Sequence, residues 1–194
     1  METKRYTVNE IAAAAKDIQA GELIAFPTET VYGLGADATN PTAVKQVYAA
    51  KGRPSDNPLI VHVASVDTVA QYAATLSSKF KQLVRAFWPG SLTIILPLKP
   101  NALASVVTGG LKTAAFRMPA NEATLALIKA AGVPLVGPSA NTSGKPSPTT
   151  AAHVLHDLTG KIAGVLDDGP TGVGLESTVI DLSVATPVIL RPGV

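Results

Sequence analysis

Short apolar runs that stop at Pro or Gly alternate along this chain with segments whose apolar residues recur at helical spacing, so strands and helices must be mixed. Leu23-Ile24-Ala25-Phe26 stops at Pro27, and Leu59 to Val63, Leu92 to Leu96, Thr113 to Arg117 and Leu135-Val136-Gly137 read as further strands. Thr7 and Glu10 form a capping box ahead of Ile11, Ala14, Ala15 and Ile18, and Gly21 sits where a C-terminal glycine belongs. Asn40-Pro41 opens a second helix, striped by Val44, Val47 and Tyr48 and ended by Gly52. A weak helix is expected from Asp67 to Ala74. A stronger one runs from Ser78 to Trp88, where Phe80, Leu83, Val84 and Phe87 make one core-facing stripe before Pro89-Gly90. Asn121 caps a helix through Ala131, and another covers Thr150 to Leu158. The late strands, near Ile162–Leu166, Thr178–Leu182 and Val188–Leu190, have short connections, so part of the sheet is expected to be antiparallel. The class is α/β or α+β, read as a single domain over residues 1–194.

Composition narrows the functions. With 46% hydrophobic and 15% charged residues the chain can build a core and is not a disordered segment. It has no Cys, which excludes a disulfide scaffold, a thiolate metal site and a Cys nucleophile. The 16 basic and 14 acidic residues leave a net charge of +2, too mild to imply nucleic acid by itself. No charge-free run reaches the ~18 apolar residues of a membrane span. Met1-Glu2-Thr3-Lys4-Arg5 is not followed by the apolar stretch of a secretory signal, so a cytoplasmic protein is expected.

The informative polar residues lie in five segments between the apolar elements. These are Pro27 to Gly35, Lys51 to Pro58, Thr108 to Thr113, Pro138 to Ser147, and Gly174 to Thr178. Loops at strand ends are where α/β proteins bind ligands. Lys51 and Arg53, just past a helix end, can grip a polyphosphate, Arg53 as a planar fork and Lys51 as a point charge. They read equally as cations complementing the helix dipole. Ser139-Ala140-Asn141 can hold phosphate or sugar, or be an ordinary Ser/Pro loop, and Gly109-Gly110 reads as a tight turn.

Gly33-Leu34-Gly35-Ala36-Asp37-Ala38 superficially matches a dinucleotide fingerprint, but the next helix starts only at Asn40-Pro41, so the glycines do not open it. His62 lies inside a strand, either for a reason of chemistry or on a wetter face. His153 and His156 lie three apart on a helix with no third ligand of the right type, and read as a solvated face with no protein metal site.

The ordered set of Pro-Thr-Glu-Thr-x-Tyr-Gly-Leu-Gly, Lys-Gly-Arg-Pro, Asn-Pro-Leu, an in-strand His, Trp-Pro-Gly-x-x-Thr, Arg-x-Pro, Pro-Ser-Ala-Asn-x-Ser-Gly and Glu-Ser-Thr resembles the YrdC-like family, the threonylcarbamoyl-AMP synthases, from about Thr7 to Gly193. The resemblance implies an open, twisted, mixed parallel and antiparallel α/β sheet flanked by helices around a large basic cavity. It implies synthesis of L-threonylcarbamoyl-AMP from L-threonine, bicarbonate and ATP, with Mg²⁺ carried by the ATP. The product would pass to proteins that transfer the threonylcarbamoyl group to tRNA, and affinity for tRNA or double-stranded RNA could accompany it.

By that pattern Thr30, His62, Arg117, Gly137 and Ser177 hold threonine, with Arg117 on its carboxylate. Arg53, Asn57, Thr113, Ser139, Ser147 and Arg191 hold ATP, with Lys51 and Asn141 completing the lining, and Lys51 and Arg53 taken as the catalytic cations. The tail through Arg191-Pro192-Gly193 resembles long-form members, whose C-terminal domain is expected to be absent from this chain. Two alternatives stand beside this: the carbamoyl-adenylate-forming domain of hydrogenase-maturation proteins, and a non-catalytic RNA-binding module.

Overall fold

The structure, a computed structural model, describes residues 2–194. Ten strands form one mixed sheet. They are β1 (Lys4–Tyr6), β2 (Ile24–Phe26), β3 (Gly33–Asp37), β4 (Ile60–His62), β5 (Leu92–Pro97), β6 (Thr113–Arg117), β7 (Leu135–Val136), β8 (Gly164–Leu166), β9 (Thr178–Asp181) and β10 (Val188–Arg191), in the order β1-β8-β2-β3-β7-β4-β6-β5-β9-β10. Four neighbouring pairs are parallel and five antiparallel, and the late hairpin β9–β10 is antiparallel as its short connection requires. Seven helices complete the described residues: α1 (Ile11–Gln19), α2 (Pro41–Lys51), α3 (Val66–Tyr72), α4 (Ser78–Phe87), α5 (Ser105–Thr108), α6 (Glu122–Ala131) and α7 (Ala151–Leu158).

Local chemistry sets the helix ends. The Glu10 carboxylate accepts the Thr7 backbone N–H at 2.8 Å, starting a 3₁₀ turn that runs into α1. The Asn40 side chain accepts from Thr42 and Ala43 N–H, Pro41 takes the first helical position, and Gly52 ends α2 at φ 62° in the left-handed region. Asn121 caps α6 through Thr124 N–H at 2.8 Å.

Strand periodicity divides the core. Ile24 and Phe26 join one apolar cluster while Ala25 between them joins the other, and Leu135 and Val136 divide the same way. One cluster takes α1 and α6 against Tyr6, Phe26 and Leu135; the larger takes α2, α4 and α7 with Leu34, Val61 and Phe116. Across the middle of the sheet the first face is only partly covered. Ile60, Ala115 and Ile95 lie in register across β4, β6 and β5 and are half-buried.

Three expectations need correction. Gly33–Asp37 is a buried strand, not a loop, although glycine weakens strands; the ring of Phe26 lies over the space that side chains at Gly33 and Gly35 would need. Lys4–Tyr6 and Ser105–Thr108, assigned no strand or helix from the sequence, form β1 and α5. Phe87 is 56% exposed rather than core-facing. The helix ends there, and Trp88 takes the inward place, stacked edge-on to Phe80 at 5.9 Å with its indole N–H on the Leu92 carbonyl.

A Cβ at Gly35 would lie 2.7 Å from the Ile24 carbonyl oxygen and 2.9 Å from the Phe26 ring. Gly35→Ala is therefore expected to cost ~1–3 kcal/mol through overpacking, lowering Tm by roughly 2–12 °C in a chain of this size. A thermal melt within 1 °C of the parent would show that β2 and β3 separate freely.

Candidate active site

The half-covered face holds a cleft of about 320 Å³, floored by Ile60, Ala115, Ile95 and Val179. Small-molecule sites typically span ~300–1,000 Å³. Its polar lining is Thr30, Arg53, His62, Arg117, Ser139, Glu176, Ser177 and Arg191. With His62 neutral, as argued below, three guanidinium groups face one carboxylate, and the surface favours anions.

Arg117 and His62 are neighbours by register, paired across the parallel strands β4 and β6. Arg117 is 4% exposed, and each of its nitrogens is met: Nε donates to the Gly90 carbonyl at 3.2 Å, Nη1 to the Thr30 hydroxyl at 3.0 Å, and Nη2 to the Glu29 carboxylate at 2.5 Å. Burial works against its charge and Glu29 works for it. Thr30 is held in turn by Thr28, whose hydroxyl accepts the N–H groups of Thr30 and Val31 and donates to the Val31 carbonyl. This self-closing turn exists because Thr hydroxyls bond nearby backbone.

His62 is 2% exposed, with Phe26 edge-on at 5.1 Å. Burial first, and the Arg117 charge second, push its pKa down to about 3, so the ring is neutral at ordinary pH. Its Nδ1 finds no hydrogen-bond partner among the described residues. Gly137 makes room beside it: a Cβ there would lie 2.6 Å from Nδ1 and 2.7 Å from Phe26. The ring thus presents an unsatisfied polar atom to a place that only glycine leaves clear.

The opposite wall comes from β9, β10 and the segment before them. The Ser177 and Thr93 hydroxyls bond at 2.7 Å, and Arg191 reaches the Ser177 carbonyl at 3.0 Å and its hydroxyl at 3.2 Å. Ser147 donates to the Glu176 carboxylate at 2.6 Å, which with Arg191 holds that carboxyl below its usual range.

Eight of the thirteen expected site residues line this cleft: Thr30, Arg53, His62, Arg117, Gly137, Ser139, Ser177 and Arg191. Ser147 joins through Glu176. Thr113 shares the face of β6 that carries Ala115 and Arg117, at the strand's start. Asn57 is exposed, and its carbonyl accepts the Tyr48 hydroxyl. Lys51 and Asn141 sit behind the wall. The Lys51 ammonium, 3% exposed, donates to the carbonyls of Ser139 and Asn141, and burial with the nearby Arg53 charge lowers its pKa to about 8. Lys51 meets the cleft through Ser139 rather than by lining it. Asn141 donates to the carbonyls of Thr142 and Lys145, while its Oδ1 is buried without a partner among the described residues. His153 and His156 are exposed on α7.

Sequence reasoning assigned no role to Glu29, Thr93 or Glu176. Glu29 and Glu176 stand inside the polar segments, beside Thr30 and Ser177, and a carboxylate adjoining a site hydroxyl was the available signal. Thr93 offered only a hydroxyl in an apolar strand.

The His62 shift has a definite sign. Unfolded, the ring takes a proton near pH 6.5; folded, it does so only near 3. Below pH 6.5 the unfolded chain binds the extra proton, so stability falls as pH drops toward 3, by at most about 1.4 kcal/mol per unit. Between pH 7 and 5 the parent should lose about 1–2 kcal/mol more than His62→Asn. Parallel pH slopes in denaturant titrations of the two would contradict the buried neutral ring.

Known proteins share this fold and much of this sequence. The family model described as "Telomere recombination", covering Sua5, YciO and YrdC, matches residues 16–193. A protein of Bacillus subtilis (strain 168) named threonylcarbamoyl-AMP synthase is 54% identical over 100% of this chain and 59% of its own. One of the same name from Pyrococcus abyssi is 53% identical over 95% of this chain and 54% of its own. The solved structure of P. abyssi Sua5 complexed with L-threonine superposes with a TM-score of 0.95 at 49% identity, covering 98% of this chain and 58% of that one. The chain thus spans little more than half the length of these relatives. By the family match, the sequence identity and the shared fold, it belongs to the Sua5, YciO and YrdC family.

Proposed function

We propose that this chain builds L-threonylcarbamoyl-AMP from L-threonine, bicarbonate and ATP, releasing pyrophosphate. The observation that carries the reading is the convergence of Thr30, His62, Arg117, Gly137 and Ser177 with Arg53, Ser139 and Arg191 on one cleft. The names of the relatives and the threonine bound in the P. abyssi structure support it.

The chemistry suits these groups. Threonine's amine adds to bicarbonate and loses water, giving a carbamate. A carbamate oxygen forms a bond to the α-phosphorus of ATP, and the α–β bridging P–O bond breaks, its electron pair leaving with pyrophosphate. No protein nucleophile takes part, so the residues act by holding and by neutralising charge. Arg117 has five N–H groups, three of them committed, and keeps one on each terminal nitrogen, a match for the two oxygens of an amino-acid carboxylate. The neutral His62 and the hydroxyls of Thr30 and Ser177 read the polar groups of threonine. Arg53 and Arg191, from distant parts of the chain, offset triphosphate charge. ATP enters with Mg²⁺ held mainly by phosphate and water. The adenylate would then serve proteins that transfer the threonylcarbamoyl group to tRNA.

Incubating the protein with ATP, bicarbonate and threonine, and scoring the adenylate by mass, tests the reading directly; no threonine-dependent product would overturn it. Two variants separate the halves of the cleft. Arg117→Ala should weaken threonine binding by ~2–5 kcal/mol with little effect on ATP, and equal losses for both ligands in calorimetry would displace the assignment. Arg53→Ala, in a half-exposed loop, should melt within ~0.5 kcal/mol of the parent yet release little pyrophosphate. A normal rate would return Arg53 to the role of a helix-end charge. Serine should be used less well than threonine, and valine hardly at all, because valine leaves buried hydroxyl partners unpaired.

A further inference from the structure

The cleft explains what faces the ligand but leaves one strong interaction outside it. Glu29 is not among the residues that line the cleft, yet it pairs with Arg117, which does. Its carboxylate is held from three directions: Oε1 accepts from Arg117 Nη2 at 2.5 Å and from the Ser91 hydroxyl at 3.1 Å, and Oε2 accepts the Ala120 backbone N–H at 3.0 Å. Its own carbonyl takes the Val173 N–H at 3.1 Å, tying the turn that bears it to the segment leading into Ser177. The residues that hold it come from the start of β5, from the connection between β6 and α6, and from the stretch before β9.

We infer that Glu29 is the positioning residue of the amino-acid site: it fixes the plane and the charge of the Arg117 guanidinium so that the two uncommitted N–H groups are preset for a carboxylate. The inference rests on the reading of Arg117 as the carboxylate receptor. A buried guanidinium without a counter-ion either turns toward another acceptor or gathers water, and in both cases its fork no longer has one orientation. The Gly90 carbonyl and the Thr30 hydroxyl hold two of its nitrogens, but both partners are uncharged. Glu29 is the one carboxylate within ion-pairing distance of Arg117 among the described residues. An amino-acid carboxylate arriving from the cleft then meets a guanidinium already oriented and desolvated, and loses little to ordering it. Glu29 itself touches no ligand, so its effect travels through Arg117 alone.

Glu29→Gln keeps the shape and one acceptor oxygen, removes the charge, and turns an amide donor toward the Ala120 N–H. The test compares L-threonine with L-threoninamide, which differs only in lacking the carboxylate, in adenylate formation by the parent and the variant. The parent should prefer threonine strongly. In Glu29→Gln that preference, as kcat/KM, should fall at least tenfold, carried by the threonine KM, while the ATP KM stays within about twofold. Glu29→Asp, which keeps the charge but withdraws it by one methylene, should show an intermediate loss and guards against a glutamine variant that does not fold. An unchanged threonine-to-threoninamide ratio in a folded variant, even with a lowered melt, would overturn the assignment and leave Glu29 a structural ion pair. A parent enzyme with no threonine-dependent product would overturn the functional reading itself, so the two failures are distinct.

Discussion

Placing a guanidinium inside a sheet costs several kcal/mol unless its N–H groups are met, and this fold is arranged so that Arg117 is met on every nitrogen. The partners come from two separate places: the turn after β2, which bears Glu29 and Thr30, and the cis Trp88-Pro89 corner that presents the Gly90 carbonyl. Each is rigid for its own reason. Thr28 closes the first turn on itself, and Trp88 anchors the corner by ring packing and an indole hydrogen bond. The cation at the centre of the sheet and the loops around it therefore stabilise one another, and the cleft is what remains on the open side.

Space is controlled as closely as charge. Phe26 is the measure: its ring lies against Gly33, Gly35 and Gly137 and edge-on to His62. Where a side chain would collide with that ring, the chain has glycine, and the last of these glycines leaves the gap into which His62 Nδ1 looks. The apolar packing that stabilises one half of the sheet thus also shapes the polar pocket in the other. Lys51 has the corresponding part on the second wall. Its buried ammonium gathers the Ser139 and Asn141 carbonyls and fixes the backbone from which Ser139 faces the cleft.

Much of this was readable from the residues. Helix caps at Asn40 and Asn121, the C-terminal Gly52, and the strand at Thr113–Arg117 follow from local chemistry, and local chemistry survives tertiary packing. The polar segments were visible because their side chains interrupt an otherwise apolar pattern. What could not be read depends on partners distant in sequence. Gly33–Asp37 is a strand because Phe26 fills the space its glycines leave, which propensity does not contain. Lys51 belongs to the carbonyls of a loop 88 residues away, so its position behind the wall is a property of the folded chain. Glu29 likewise found Arg117 across 88 residues, and nothing near Glu29 announces that partner.

The pairing of β4 with β6 has a consequence for fidelity of folding. His62 and Arg117 are registered opposite each other on adjacent parallel strands, both on the partly open face, while Val61 and Phe116 beside them point into the larger apolar cluster. A misregistration by one residue in either strand would carry its polar group into that hydrocarbon interior and turn an aliphatic or aromatic side chain out to water. Neither group has a partner there, so the penalty falls on the slipped state. The two residues that give the cleft its buried cation and its buried polar ring also proofread the sheet beneath it: a chain that folds stably at all has, by the same alignment, assembled this cleft.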